Sequence, residues 1–280
     1  MSDHRLPPFC DTALAQRLER AEVQLIAAAS EAAHLRQENP RGFVLPVAGG
    51  VASFAEDGSP YNKVVGLGFG GVPTATEFDT IEEAYAAAGA PVQVELAHLA
   101  DPELLQFLAG RGFRAEAFEN VLGRVPAVEQ PVAVGSGIEV RPSGDDEFEQ
   151  WLEVVTEASM HPDTQGVPWR EEFPRETYQR AERDSRAAGV TRYAALHNGV
   201  LAGGAGIRMT EGVAQFAGAA TAPAHRRRGI QSALLTARLA DAAAAGCDVA
   251  VITTQPGSKS QQNAQRRGFD LLYTRAVLVK

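Results

Sequence analysis

The stretch Thr221-Ala-Pro-Ala-His-Arg-Arg-Arg-Gly229-Ile-Gln-Ser-Ala-Leu-Leu235 separates an apolar, strand-like run from a strongly helical one. Upstream, residues 212–221 are apolar and rich in Gly and Ala, whereas Ile230 to Ala245 is almost entirely good helix formers without an internal glycine or proline. The pattern predicts a strand ending at Pro223 and a helix starting near Gly229. A helix start leaves backbone N–H groups without partners and carries the positive end of the helix dipole, so an anion placed there gains hydrogen bonds and charge stabilisation together. Arg226, Arg227 and Arg228 sharpen the preference for a polyanion. The loop reads as a pyrophosphate cradle.

Working outward, the chain has the length of two domains, with 280 residues of which 45% are hydrophobic. Residues Asp11 to Gln37 read as a helix, followed by strand signals at Gly42–Leu45, Gly50–Phe54 and Asn62–Phe69. A helix from about Glu77 to Ala88, a strand at Pro91–Leu96, a short helix from Asp101 to Ala109 and a closing strand from Arg114 to Val125 complete a first α/β unit, residues 1–126. Residues 127–137 have linker composition. The pattern then restarts over 138–280: a short strand at Ile138, two helices, a hairpin turning at His197-Asn-Gly, the strand of Val213–Thr221, the loop and its helix, then strand, helix and last strand.

The halves read as copies. Arg111-Gly-Phe113 and Arg267-Gly-Phe269 share an offset of 269 − 113 = 156 residues, which also aligns Val121–Arg124 with Val277–Lys280. The first half lacks an arginine loop, and its corresponding region, Gly66-Leu-Gly-Phe-Gly-Gly-Val-Pro73, is uncharged. That run formally matches Gly-x-Gly-x-x-Gly, with Glu95 as a possible ribose ligand, yet a dinucleotide fingerprint enters its helix at the glycines and here Pro73 and Thr74 to Thr76 intervene. The expectation is a bend at a strand end.

Composition excludes several classes. A net charge of −9 argues against wrapping nucleic acid, which needs a basic face. The apolar runs are too short for a membrane span, and the first residues lack a basic stretch followed by an apolar one, so the expectation is a cytoplasmic protein with no membrane partner. Cys10 and Cys247 are far apart, which argues against a disulfide framework or a zinc site, and no metal is expected. The sequence carries no signal for an oligomeric state.

The neighbourhood of the loop carries a resemblance. Thr221-x-Pro223-x-x-Arg226-x-x-Gly229, ending an apolar strand and opening a helix, resembles the signature of the GNAT superfamily of N-acetyltransferases, over residues 138–280. The resemblance implies a mixed α+β fold of two tandem acyltransferase-like units, each a twisted mixed sheet flanked by helices, with a degenerate N-terminal copy. It implies acetyl-CoA as donor and a small-molecule or peptide amine as acceptor. On that basis Ala219, Thr221, Arg226, Arg227, Arg228, Gly229, Ile230, Gln231, Ser232 and Asn263 are the expected donor contacts. A backbone N–H near Ala220 or Thr221 is expected to polarise the thioester carbonyl and stabilise the oxyanion formed by attack of a neutral amine.

Two departures stand out. Gln231 replaces the small residue usual in the family, and the position of the usual general-acid tyrosine is Ala264. Tyr273 is the candidate substitute proton donor. His161, Trp169 and Glu172, in the polar connection between two helices, are the acceptor-site candidates. The alternative expectation, kept open by Ala264, is a non-catalytic acyl-CoA-binding regulator.

Overall fold

The computed structural model describes residues 8–127, 136–163, 167 and 172–280; Trp169 and most of the expected linker lie outside the described residues. Contacts divide the chain into two compact units that are not sequential blocks. One, here the N-terminal unit, gathers Asp11–Glu119, Glu171–Gly189 and Tyr273–Lys280. The other, the C-terminal unit, is built mainly from Asn120–Arg170 and Val190–Leu272. The sequence division at 126 and 138 therefore misses an exchange: each half of the chain lends its closing strand, and the second half also lends a helix. Sequence patterns report local conformation, whereas this exchange is a choice of distant partner.

In the N-terminal unit, α1 (Thr12–Arg36) begins where Asp11 accepts the N–H of Leu14 at 2.9 Å. Strands β1 (Phe43–Val47), β2 (Gly50–Phe54), β3 (Lys63–Val65) and β4 (Gln93–Ala97) lie in that order, and β4 then pairs antiparallel with the end of β11 (Asp270–Val279). The β3–β4 pair is parallel and the others antiparallel, so the sheet is mixed. Helices α2 (Ala75–Ala88) and α3 (Glu103–Gly110) complete its core, where Phe54, Phe78, Tyr85, Leu104 and Leu108 are buried. Helix α5 (Arg175–Ala187) joins α1: Arg36 donates to both Asp184 carboxylate oxygens, and the Tyr61 hydroxyl donates to the Ala181 carbonyl at 2.9 Å.

The C-terminal unit contains the end of β5 (Arg114–Arg124), β6 (Ile138–Pro142), β7 (Thr191–His197), β8 (Val200–Thr210), β9 (Val213–Thr221) and β10 (Val249–Thr254), in the order β5-β10-β9-β8-β7-β6. Only β9–β10 is a parallel pair. Helices α4 (Phe148–Met160), α6 (Ile230–Ala244) and α7 (Lys259–Gln265) flank the sheet, with Leu234, Leu239, Phe216 and Phe269 in the core.

The repeated Arg-Gly-Phe is a helix stop. Gly112 (φ 93°) and Gly268 (φ 72°) take the left-handed conformation, and the following N–H reaches back to close the last turn, Phe113 to Leu108 at 3.1 Å and Phe269 to Ala264 at 3.2 Å. Each Phe is then buried in its unit's core. Ala264, where the family's tyrosine is expected, is itself fully buried.

The Gly66–Gly71 run forms no ligand cradle with a helix start. Strand β3 stops at Val65, Gly66, Gly68 and Gly71 follow with positive φ, and the Asp101 N–H donates to the Gly68 carbonyl at 3.0 Å. A Cβ on Gly68 would lie 2.7 Å from Ala100 Cβ, so the loop is packed against its own unit.

Candidate acyl-donor site

Strand β9 is irregular in two ways that concern its last five residues. Its ladder with β10 runs from Val213–Val249 to Phe216–Ile252 and ends there, while β9 itself continues to Thr221. Its register with β8 shifts after Ala205–Ala219, because Gly206 pairs with Ala217 and leaves Gly218 (φ 39°) as an extra residue. Beyond Phe216 the strand thus offers backbone on the side that β10 has left, and Gly218 and Ala219 are exposed. The run Ala217-Gly218-Ala219-Ala220 carries no side chain larger than a methyl group to obstruct an extended ligand there.

The chain leaves β9 through a turn of 3-10 helix at Pro223–His225 and enters α6 at Gly229. Gly229 (φ 93°) is the N-cap and supplies no side-chain hydrogen bond to the first turn. A Cβ there would have room, 3.9 Å from Ile138 Cδ1, so glycine is demanded by the left-handed backbone and not by crowding. Arg227 is also left-handed (φ 63°), an unfavourable state for a residue with a Cβ. Arg227 and Arg228 are exposed, and both stand at the open end of the helix. The α6 start thus keeps donors that its own cap leaves free, as an anion site requires.

The equivalent helix of the N-terminal unit is closed. Thr74 accepts the Glu77 N–H at 3.2 Å, and the Glu77 carboxylate accepts the Thr74 N–H at 2.8 Å. The capping box uses up donors and places a negative charge where a phosphate would bind. The Thr74 hydrogen bonds hold the Glu77 carboxyl below its ordinary pKa, so that charge is firmly present at neutral pH.

The remaining loop residues serve different ends. Arg226 Nε donates to the Thr221 carbonyl at 3.3 Å, and Nη2 donates to the carbonyls of Ala158, at 3.3 Å, and His161. It therefore ties β9 to the C-terminal end of α4, where carbonyls lack helical partners and a cation is favoured. Gln231 folds back so that its amide donates to Thr221 Oγ1 at 3.1 Å, which answers how the loop accommodates the larger side chain. His225 meets His197 ring to ring, Nδ1 to Nδ1 at 3.2 Å, and burial, His197 and Arg228 together lower its pKa. Ile230 anchors the helix start in the core, and Ser232 sits partly buried in its first turn.

Asn263 is half-buried on α7, which Ser258 caps by accepting the Gln261 N–H at 3.2 Å. His161 ends α4, exposed and 3.1 Å from the Glu157 carboxylate, and Glu172 is exposed in the connection beyond.

Tyr273 belongs to the N-terminal unit. Its hydroxyl donates to Glu19 Oε1 at 2.6 Å, and both residues are 1% exposed. Arg275 Nε shares that oxygen at 2.7 Å, Arg275 Nη1 lies 3.5 Å from Glu95, and Lys63 pairs with Glu95 at 2.5 Å. A tyrosine in a strand more often packs in a core than serves a site, and the structure puts this phenol in a buried ionic cluster.

Sequence reasoning did not foresee the bulge at Gly218 or the early end of the β9–β10 ladder. The signal was the crowding of small residues on both partners, Gly203-Gly204-Ala205-Gly206 facing Ala217-Gly218-Ala219-Ala220.

A split strand thus leads into a helix start that is bordered by arginines and has no side-chain cap. Residues 150–269, less than half of the chain, match the model of the Acetyltransferase (GNAT) family. Among solved structures, a GCN5-related N-acetyltransferase from Kribbella flavida is similar over 92% of this chain and 95% of its own, with TM-score 0.64 and 19% identity. A tandem GNAT protein from the clavulanic acid biosynthesis pathway is similar over 98% and 97%, with TM-score 0.60 and 14% identity. A GCN5-related N-acetyltransferase from Sphaerobacter thermophilus covers 73% of this chain and 65% of its own, with TM-score 0.52 and 18% identity. No curated protein matches the sequence. The fold is thus that of two tandem acyltransferase-like units. Among the described residues no helix is long and apolar enough to cross a membrane, and no group of His, Cys, Asp or Glu is arranged to hold a metal.

Proposed function

We propose that the chain is an N-acetyltransferase that moves the acetyl group of acetyl-CoA to an amine, and that the C-terminal unit alone binds the donor. The observation that carries this reading is the contrast between the two helix starts: α6 is open at Gly229, and α2 is sealed by Thr74 and Glu77. The first-turn N–H groups of Ile230, Gln231 and Ser232, with Arg227 and Arg228, are positioned by type and place to hold a pyrophosphate. Arg226 shapes the loop from behind, through α4.

The open side of β9 from Ala217 to Thr221 suits an extended amide-bearing arm, which pairs with backbone as an added strand would. A backbone N–H at Ala220 or Thr221 then polarises the acyl carbonyl as the amine nitrogen attacks. The C–N bond forms, the C–S bond breaks, the nitrogen gives up a proton and the sulfur leaves as thiolate. A thiol pKa of about 8.5 makes the thiolate a tolerable leaving group without a dedicated acid, consistent with the buried alanine at 264. His161 and Glu172 are the described residues proposed for the acceptor side; Trp169 is proposed on sequence alone.

The test is direct. Calorimetric titration with acetyl-CoA is expected to show saturable binding, and a panel of amines is expected to contain at least one that releases free CoA thiol. Absence of acetyl-CoA binding by the intact chain would contradict the proposal.

A further inference from the structure

Helix α6 buries Ile230, Ala233, Leu234, Leu235, Leu239 and Ala242, and in the middle of that face it buries an arginine, Arg238, 1% exposed. The buried face of α2 in the N-terminal unit, Phe78, Ile81, Tyr85 and Ala88, needs no charge. A helix can therefore pack on this kind of sheet without a buried charge.

Arg238 is costly where it sits. It makes no ion pair among the described residues, and its Nη2 is buried without a hydrogen-bond partner. Burial pushes its pKa down to about 9, which still leaves the guanidinium charged at neutral pH. A hydrophobic side chain of similar volume would be the more stable occupant. Its presence points to something other than stability.

Its contacts say what. Nη1 donates to the Gly206 carbonyl at 2.9 Å, Nε donates to the Leu234 carbonyl at 3.1 Å, and the guanidinium lies over the Phe216 ring at 4.4 Å. Gly206 is where the β8–β9 register steps around Gly218, and Phe216 is the last residue that β9 pairs with β10. One side chain thus bridges both irregularities of the strand. Its hydrogen bond gives the Gly206 carbonyl a partner at the step in the ladder, and its planar face braces the ring at the point of divergence.

We propose that Arg238 is a positioning residue for acyl transfer, fixing the bulge and split of β9 so that the backbone of Ala219 to Thr221 is presented to the acyl group. This rests on the acetyl-transfer reading above. The pyrophosphate contacts lie in a separate loop, so a displaced β9 is expected to cost turnover more than donor affinity.

The experiment compares wild type, Arg238→Met, Arg238→Lys and Phe216→Leu by calorimetric titration with acetyl-CoA, by kcat for thiol release with the best amine, and by Tm. In Arg238→Met, acetyl-CoA affinity is expected to stay within about threefold while kcat falls at least tenfold. Arg238→Lys, which keeps a charge and a donor for the Gly206 carbonyl, is expected to recover part of the loss. A folded Arg238→Met with wild-type kcat, or one that loses only Tm, overturns the assignment. If Arg238→Met does not fold, Phe216→Leu carries the test: it is expected to lower kcat several-fold at unchanged affinity, and a kcat within twofold of wild type overturns the assignment. A wild-type chain that releases no thiol with any amine overturns the acetyl-transfer reading itself, and is told apart because it precedes every variant.

Discussion

Replacing Ser232 by glutamate is expected to weaken donor binding without destabilising the fold. Ser232 is the third residue of α6, the position that Glu77 holds in α2, where the carboxylate reaches back to the N-cap N–H at 2.8 Å. A glutamate there sets a negative charge within about 4–5 Å of a bound phosphate. At that separation the repulsion is about 1 kcal/mol in a water-like medium and about 4 kcal/mol at the effective permittivity of a protein surface. The loop is exposed, so the lower part of the range applies, about 1–2 kcal/mol, or roughly 5- to 30-fold in Kd. The same carboxylate stabilises the helix by about 0.3–1 kcal/mol through the dipole, so Tm in the absence of ligand should hold or rise. Calorimetry with acetyl-CoA and thermal unfolding of the free protein read the two effects separately, with Ser232→Gln as the uncharged control. A Kd within twofold of wild type would refute the cradle; so would an equal loss in the glutamine control, which would make bulk and not charge the cause.

Charge reversal of the exposed Arg227 and Arg228 together should weaken acetyl-CoA binding by about tenfold at low salt, with the difference shrinking as salt is added; a salt-independent loss would indicate a misfolded loop. Tyr273→Phe should lower stability by about 1.5–3 kcal/mol, because it deletes a buried hydrogen bond to the Glu19 carboxylate, and denaturant unfolding measures it. Loss of turnover in a fully folded Tyr273→Phe would return that phenol to catalysis. Burial, and after it the Glu95 carboxylate, lift the Glu119 carboxyl from 4.5 to about 8. The folded chain then keeps a proton that the unfolded chain releases, so this group's contribution to stability is full below 4.5 and is lost as pH rises toward 8. Glu119→Gln should flatten the fall of Tm across that range, and an unchanged slope would assign it to other groups.

Much of the fold was legible because it is written locally. Asp11 announces α1, the Arg-Gly-Phe pairs announce two helix stops, and the glycine after three arginines announces α6, each through a hydrogen bond made within a few residues. The exchange of closing strands was not legible, since Arg114–Arg124 and Asp270–Val279 look alike and local pattern does not choose a partner. At the site, the open helix start followed from Gly229, but three side chains took roles that spacing does not encode. Arg226 turns away to α4, Gln231 folds onto Thr221, and Arg238 reads as part of a helical run until its burial is seen. The capping box at Thr74 and Glu77 was readable from Thr-x-x-Glu.

The claim that one copy is open and the other sealed is tested most directly by the stoichiometry of acetyl-CoA binding. Calorimetric titration of the wild-type chain should give one site per chain, and Ser232→Glu should weaken that site while Glu77→Gln in the first copy leaves it unchanged. Two sites per chain, or a single site that responds to Glu77→Gln and ignores Ser232→Glu, would contradict the account.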